Sequence, residues 1–185
     1  EVLDPLEAWD IEAAEAIIER LAKEKPDDPG VLFLQARVAF ELGEYTKAVE
    51  LYERALGDRA AGSNDYALAV SAEKENRGMV QEESAHFIVR YRPGKDAALV
   101  PYTLESLESA WDALTKDLGY APPRKVRVEF YGSPKALARV SSLSEEAIKT
   151  TGTIALCKYT RLMVTSPRAL VRGYEWQDTL THEFV

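Results

Sequence analysis

Apolar residues follow a helical spacing through the first part of the chain. Up to about residue 80 they recur three and four positions apart, with breaks at Pro26 and at Gly43. The pattern predicts a helix at 9–26, a helix-turn-helix within 29–62 and a further helix at about 64–80. The first part of the chain is therefore expected to be entirely helical.

The pattern changes after residue 82. Phe87, Val89 and Tyr91 alternate with other residues, which is typical of a strand. The rest of the sequence predicts a long helix at about 97–118, a strand at 125–131, short helices from Pro134 and Ser144, a hairpin of 153–157 and 161–165, and a last helix from about Tyr174. We therefore expect two domains, a helical one at 1–82 and an α+β one at 83–185, and an α+β fold class for the whole chain.

The helical part repeats itself at a spacing of 34 residues. Ile11, Ala14, Ile17, Ile18, Glu19 and Arg20 align with Tyr45, Ala48, Leu51, Tyr52, Glu53 and Arg54. This period and the small residues Ala36, Ala48 and Ala55 resemble a tetratricopeptide repeat, a helical hairpin that stacks on its neighbours. The resemblance implies either a helical spacer or a surface that binds a protein partner, and both remain open.

Composition excludes some classes of function. The 185 residues carry a formal charge of -8, and the pI is near 5.0. Binding of nucleic acid needs a stripe of basic residues, and the sequence shows none, which argues against nucleic acid as the main partner. The chain has no apolar run long enough for a membrane span. The single cysteine, Cys157, permits no disulfide within the chain and is expected to be a small buried residue in a strand. The compartment in which the protein works stays undetermined.

The last predicted helix carries the candidate chemistry. Trp176, Leu180 and Phe184 fall on one side of it, and His182 falls on the opposite side. His182 and Glu183 match the start of the zinc-protease motif His-Glu-x-x-His, in which two imidazoles share one helix face and the Glu takes a proton from the attacking water. The sequence stops at Val185, within an apolar run, and we expect it to be a fragment.

Five stretches in the second part strengthen this interpretation. They are Tyr91 to Gly94, Lys125 to Glu129, Thr151 to Thr153, Leu162 to Pro167 and Thr179 to Val185. In this order they resemble the peptidase MA-like domain that follows tetratricopeptide repeats in many bacterial proteins, a family similar to the gluzincin zinc peptidases.

The resemblance implies a gluzincin-like N-terminal subdomain and specific roles. His182 would be the first zinc ligand and Glu183 the catalytic base, acting on a peptide or protein substrate. The strand with Leu162, Met163, Val164 and Thr165 would edge the substrate cleft and pair with an extended peptide. The second histidine and the later glutamate of the family have no counterpart, and a protease site needs three protein ligands. The full-length protein is therefore expected to bind zinc, and this fragment is expected to bind none stoichiometrically and to be inactive.

Several residues have an alternative interpretation. His182 and Glu183 could form an ordinary solvated pair, and Asp178 could either orient the imidazole or complement the helix dipole. His86 is expected to be exposed and is not a candidate ligand. At the level of function, the alternative to a peptidase is a non-enzymatic protein-binding scaffold with a degenerate peptidase fold.

Overall fold

The protein forms two compact units of different composition. The computed structural model describes Ala8 and residues 10–184; one unit extends to Glu75 and the other begins at Asn76. The described part of the chain is α+β, with helices in both units and one five-stranded mixed sheet. The division lies a few residues before the boundary expected at 82.

The first unit consists of helices that begin at aspartate or turn residues. They are α1 (Ile11–Glu24), α2 (Pro29–Glu41), α3 (Tyr45–Leu56) and α4 (Asn64–Asn76), the last ending at the unit boundary, with a 3-10 turn at Gly57–Gly62. The Asp10 and Asp28 side chains cap α1 and α2, accepting hydrogen bonds from Ala13 N and Val31 N. α4 is shorter than the predicted helix at 64–80, because the chain turns at Gly78 with φ 78° and then continues as a strand.

Small buried residues let the helices of the first unit approach closely. Ala14, Ala36 and Ala48 are fully buried where α1, α2 and α3 meet. Aromatic rings fill the remaining space, with Phe33 and Tyr52 in an edge-to-face contact at 5.1 Å. The predicted helix-turn-helix is therefore present as α2 and α3.

The second unit is built on a sheet with strand order β1-β2-β3-β5-β4. The strands are β1 (Val80–Glu83), β2 (Phe87–Tyr91), β3 (Val126–Tyr131), β4 (Ala155–Lys158) and β5 (Arg161–Thr165). β2, β3 and β5 run parallel in the centre, and β1 and β4 pair antiparallel with β2 and β5. β1 was not expected from the sequence, since all four of its residues are exposed.

Helices cover both faces of the sheet. α5 (Val100–Leu118) and α8 (Trp176–Phe184) pack on one face, whereas α6 (Pro134–Val140) packs on the other and contacts α7 (Glu145–Thr151). α5 ends at Gly119, which adopts the left-handed conformation expected of a C-cap. None of the helices in the described ranges is long and apolar enough to cross a membrane.

The core between the sheet and helices α5 and α8 is continuous. Its buried members are Phe87, Val89, Tyr91, Val100, Leu107, Trp111, Val126, Val128, Phe130, Ala155, Leu162, Val164 and Leu180. Leu180 belongs to α8, so this helix is anchored directly in the core of the unit.

A polar network is buried on the opposite face of the sheet. The Tyr131 hydroxyl donates to Glu129 Oε2 at 2.8 Å and accepts from Asn76 Nδ2 at 3.0 Å. Glu129 is fully buried, so the hydrogen bond from Tyr131, together with the Arg90 guanidinium 3.8 Å from Oε1, takes the place of water around its carboxylate. The network joins Asn76, the first residue of the second unit, to the central strand.

Candidate functional site

Helix α8 has one side in the core and the other in solvent. Leu180 is fully buried, and Trp176 and Phe184 are half-buried against the same core cluster. The Phe184 ring meets Phe87 edge-to-face at 5.2 Å and stacks on Trp111 at 5.9 Å. These contacts fix the rotation of α8 about its axis.

That rotation decides where the two candidate side chains lie. His182 is exposed, whereas Glu183 is half-buried. α8 packs against both β4 and β5, and Glu183 lies on the side that faces β4. The imidazole is therefore open to solvent, and the neighbouring carboxylate is near enough to β4 to act electrostatically on Cys157.

Strand β4 forms one edge of the sheet. Its register with β5 pairs Ala155 with Val164 and Cys157 with Leu162. Because Thr165 N donates to Ile154 O, the alternation of an antiparallel ladder turns the backbone N–H and C=O groups of Ala155 and Cys157 away from β5. In the part of the chain that the structure describes, no strand pairs with that side of β4.

The prediction that the strand with Leu162, Met163, Val164 and Thr165 has free backbone groups to pair with a peptide is wrong. Their strand, β5, is paired with β3 on one side and with β4 on the other, and every residue in it is buried. Its backbone groups are already used in the sheet. The sequence did contain a signal for this central position: the consecutive apolar residues of β5 are typical of a strand that is buried on both faces.

Glu183 lies close to Cys157 on β4. Desolvation, with a further contribution from the Glu183 carboxylate, raises the pKa of the Cys157 thiol to about 11. The thiol is therefore neutral at physiological pH. Cys157 was expected to be buried, but the residue keeps solvent-exposed surface even though neighbouring atoms desolvate its thiol. The thiol donates to the Tyr159 carbonyl oxygen, with Sγ 3.8 Å from that oxygen.

Asp178 lies in the first turn of α8 and is exposed. Among the described residues no hydrogen bond joins it to His182. Of the two interpretations of Asp178, the favourable interaction of its charge with the positive end of the helix dipole therefore fits better than a role in orienting the imidazole.

His86 was expected to be exposed and is instead held between two elements. Its Nδ1 lies 2.7 Å from Glu108 Oε2, and its ring stacks on Trp111 with centroids 4.0 Å apart. Its backbone N–H also donates to Glu108 Oε1 at 2.9 Å. Desolvation would raise the pKa of Glu108, but the hydrogen bonds it accepts, His86 among the donors, outweigh that effect and lower the pKa. His86 thus belongs to the packing around α5 and α8, since Trp111 also stacks on Phe184.

The donor set for a metal is incomplete in the described residues. No group of three or more His, Cys, Asp or Glu side chains that could hold a metal ion occurs there. His182 alone offers an exposed imidazole on the motif helix, and a protease-type zinc site needs three protein ligands. We therefore assign no zinc geometry to this chain.

Comparisons with protein-family models, curated proteins and solved structures give no match for this chain.

Proposed function

We propose that the second unit is the N-terminal part of a zinc-dependent metallopeptidase domain of the gluzincin type. In this proposal α8 contributes the first zinc ligand, His182, and the catalytic base, Glu183. The peptide substrate lies along β4 rather than β5. A zinc ion bound with further ligands would supply a Lewis acid for the scissile carbonyl.

The observation that best supports this proposal is the placement of Glu183 beside the edge strand β4. Its carboxylate is near enough to Cys157 to affect the thiol, and Cys157 turns its backbone groups to the unpaired side of β4. An extended peptide added to that side would form main-chain hydrogen bonds with Ala155 and Cys157. Glu183 would then lie beside the bound backbone, where it can take a proton from water and give it to the leaving amine.

The first test is the sequence that follows Val185 in the gene. The proposal requires histidine as the next residue and a glutamate some way further on, because the motif helix must present a second imidazole one turn after His182. Any other residue at the next position would refute it.

The second test uses a polypeptide extended with that natural sequence. Glu183→Gln should retain the metal, measured by elemental analysis, and lose peptide hydrolysis by a factor of about 10² to 10⁴. Glu175→Gln is the matched control, since Glu175 is exposed just before α8, and it should retain both properties. Full activity in Glu183→Gln would show that Glu183 is not the base.

The second candidate function is that of a protein-binding scaffold with a degenerate peptidase fold. One observation favours it: α1, α2 and α3 enclose a cleft of about 180 Å³ in the first unit. The buried residues Ile18, Val38 and Ala39 line it together with Glu15 and Glu19. Lys47 also lines it and is paired with Glu44 at 2.7 Å. We infer that α2 and α3 are a tetratricopeptide-like hairpin, whose partner would be basic. Binding of a basic peptide together with an absence of hydrolysis in the extended polypeptide would support this candidate.

A further inference from the structure

The segment between β5 and α8 contains the most exposed large apolar side chain among the described residues. Val171 is fully exposed, and Arg172 and Gly173 beside it are exposed as well. No helix or strand includes these three residues, and Leu170 before them is already extended, with φ -104° and ψ 144°. In the described part of the chain neither Val171 nor Arg172 has a hydrogen bond or an ion pair. Little therefore holds this backbone in its present conformation.

The ends of the segment are fastened to the folded unit. On one side Arg168 donates to Asp96 Oδ1 at 3.0 Å, and the same oxygen accepts from Ser166 Oγ at 2.9 Å. On the other side the Tyr174 hydroxyl donates to the Thr165 carbonyl oxygen at 2.5 Å. The residues between these two ties can change conformation without unpairing β5 or unwinding α8. Such a local opening costs less free energy than unfolding of the unit.

We propose that the Arg172–Gly173 peptide bond is a cleavage site for a trypsin-like endopeptidase. Such an enzyme binds its substrate in an extended conformation and places an Arg or Lys side chain over a carboxylate in its specificity pocket. Arg172 supplies that side chain, and the exposed residues around it can adopt the extended conformation, which Leu170 already has. In the hydrolysis a water oxygen adds to the Arg172 carbonyl carbon and the bond to the Gly173 nitrogen breaks, which leaves a new carboxylate and a new amino terminus.

Other basic residues outside helices and strands are worse substrates for physical reasons. Lys25 and Arg92 each precede a proline, and trypsin-like enzymes hydrolyse such bonds poorly. Arg77 precedes Gly78, but it has a polar contact of its own, and Met79 N closes the turn on Asn76 O at 3.0 Å. Arg168 is held by Asp96, and Lys125 Nζ lies 2.8 Å from Glu83 Oε2. Arg124 is half-buried and has an interaction of its own. Arg172 is therefore expected to be cut first.

Cleavage at this site separates β5 from the helix that carries His182 and Glu183. α8 would then be held by noncovalent contacts alone, such as those of the buried Leu180 and the hydrogen bond from Gln177 Nε2 to Ser106 Oγ at 2.7 Å. The cleavage site itself does not depend on the peptidase proposal. Its consequence for activity does.

Limited proteolysis tests the site directly. The 185-residue chain is treated with a low amount of trypsin, and intact masses are measured over time. The first products should be 1–172 and 173–185. Arg172→Gln should slow the loss of the intact chain about tenfold, because the remaining sites need larger openings before cleavage. Arg77→Gln, the matched change in the other Arg-Gly pair, should leave the first cut at Arg172.

The result that overturns the proposal is a first cut at Arg77, Arg124 or any other position. An unchanged rate of loss in Arg172→Gln would also overturn it. Both variants change exposed side chains, and circular dichroism should confirm that they are folded. The assay needs neither metal nor peptidase activity, so its outcome is separate from that of the proposed function.

Discussion

Replacing Glu183 with glutamine should make the Cys157 thiol easier to alkylate. Only the thiolate reacts at a useful rate, so the reaction reports the pKa of the thiol. In the wild-type chain desolvation and the Glu183 carboxylate both disfavour the thiolate. The substitution removes the negative charge and leaves the desolvation, so the pKa of Cys157 should fall while staying above its ordinary value.

The size of the effect follows from the two causes. The pKa rises from 9.0 to about 11, and a rise of two makes the thiolate about a hundredfold scarcer at pH 8 than for an ordinary thiol. Desolvation is the larger cause, so the carboxylate accounts for less than half of the rise. Its removal should therefore speed alkylation by less than tenfold, and we expect an increase of about two- to fivefold.

The measurement is the rate of alkylation by iodoacetamide between pH 8 and pH 10, followed by mass spectrometry. Cys157 is the only cysteine, so no other thiol contributes to the signal. Glu175→Gln makes the same charge change at the exposed start of α8 and should leave the rate unchanged. Equal rates in wild type and Glu183→Gln would refute the placement of Glu183 beside β4. An alkylation midpoint at an ordinary thiol pKa in the wild-type chain would refute the desolvation of Cys157.

Two further predictions concern the packing that positions the site. Leu180→Ala should destabilise the second unit by about 3 kcal/mol, because it leaves a cavity where a fully buried side chain joins α8 to the sheet, and hydrogen exchange of the β5 amides should show it. Val171→Ala, a truncation at a fully exposed position, should change the free energy of unfolding by less than about 0.5 kcal/mol, and a similar loss in both variants would contradict the role of Leu180. Tyr131→Phe should cost about 1–3 kcal/mol by urea unfolding, since it removes the hydroxyl that donates to the buried Glu129 and accepts from Asn76. Tyr102→Phe at an exposed position is its control, and equal midpoints in the two variants would show that the network contributes nothing.

Regular periodicity predicted most helices and strands of this chain correctly. The stripe through Val100, Leu107 and Trp111 gave α5, and these residues are buried. The alternation of Phe87, Val89 and Tyr91 gave β2. β1 was missed for the opposite reason: Val80–Glu83 buries no side chain, so nothing in its pattern marks a strand. Its conformation is fixed by backbone pairing with β2, which a hydrophobic pattern does not report.

Contacts between distant residues limited the prediction of the site. His86 and Glu108 are 22 positions apart and meet only because β2 begins beside α5. Neither residue alone carries a signal for the other. The sequence therefore predicts an exposed His86, whereas in the folded unit Glu108 and Trp111 cover part of a side chain that stays 37% exposed.

The order of the last two strands decides how a site on α8 could work. β5 continues the parallel set β2-β3-β5, so the hairpin places β4 outside it. The strand nearest in sequence to α8 is therefore paired on both sides. A peptide bound along β5 would meet backbone N–H and C=O groups that are already hydrogen-bonded to β3 and β4. An edge at β4 instead brings the unpaired groups of Cys157 to the side of the sheet that Glu183 approaches. The peptidase proposal thus depends on the antiparallel return of β4, and a peptide that protects the β4 amides from hydrogen exchange while leaving β1 unchanged would locate its binding edge directly.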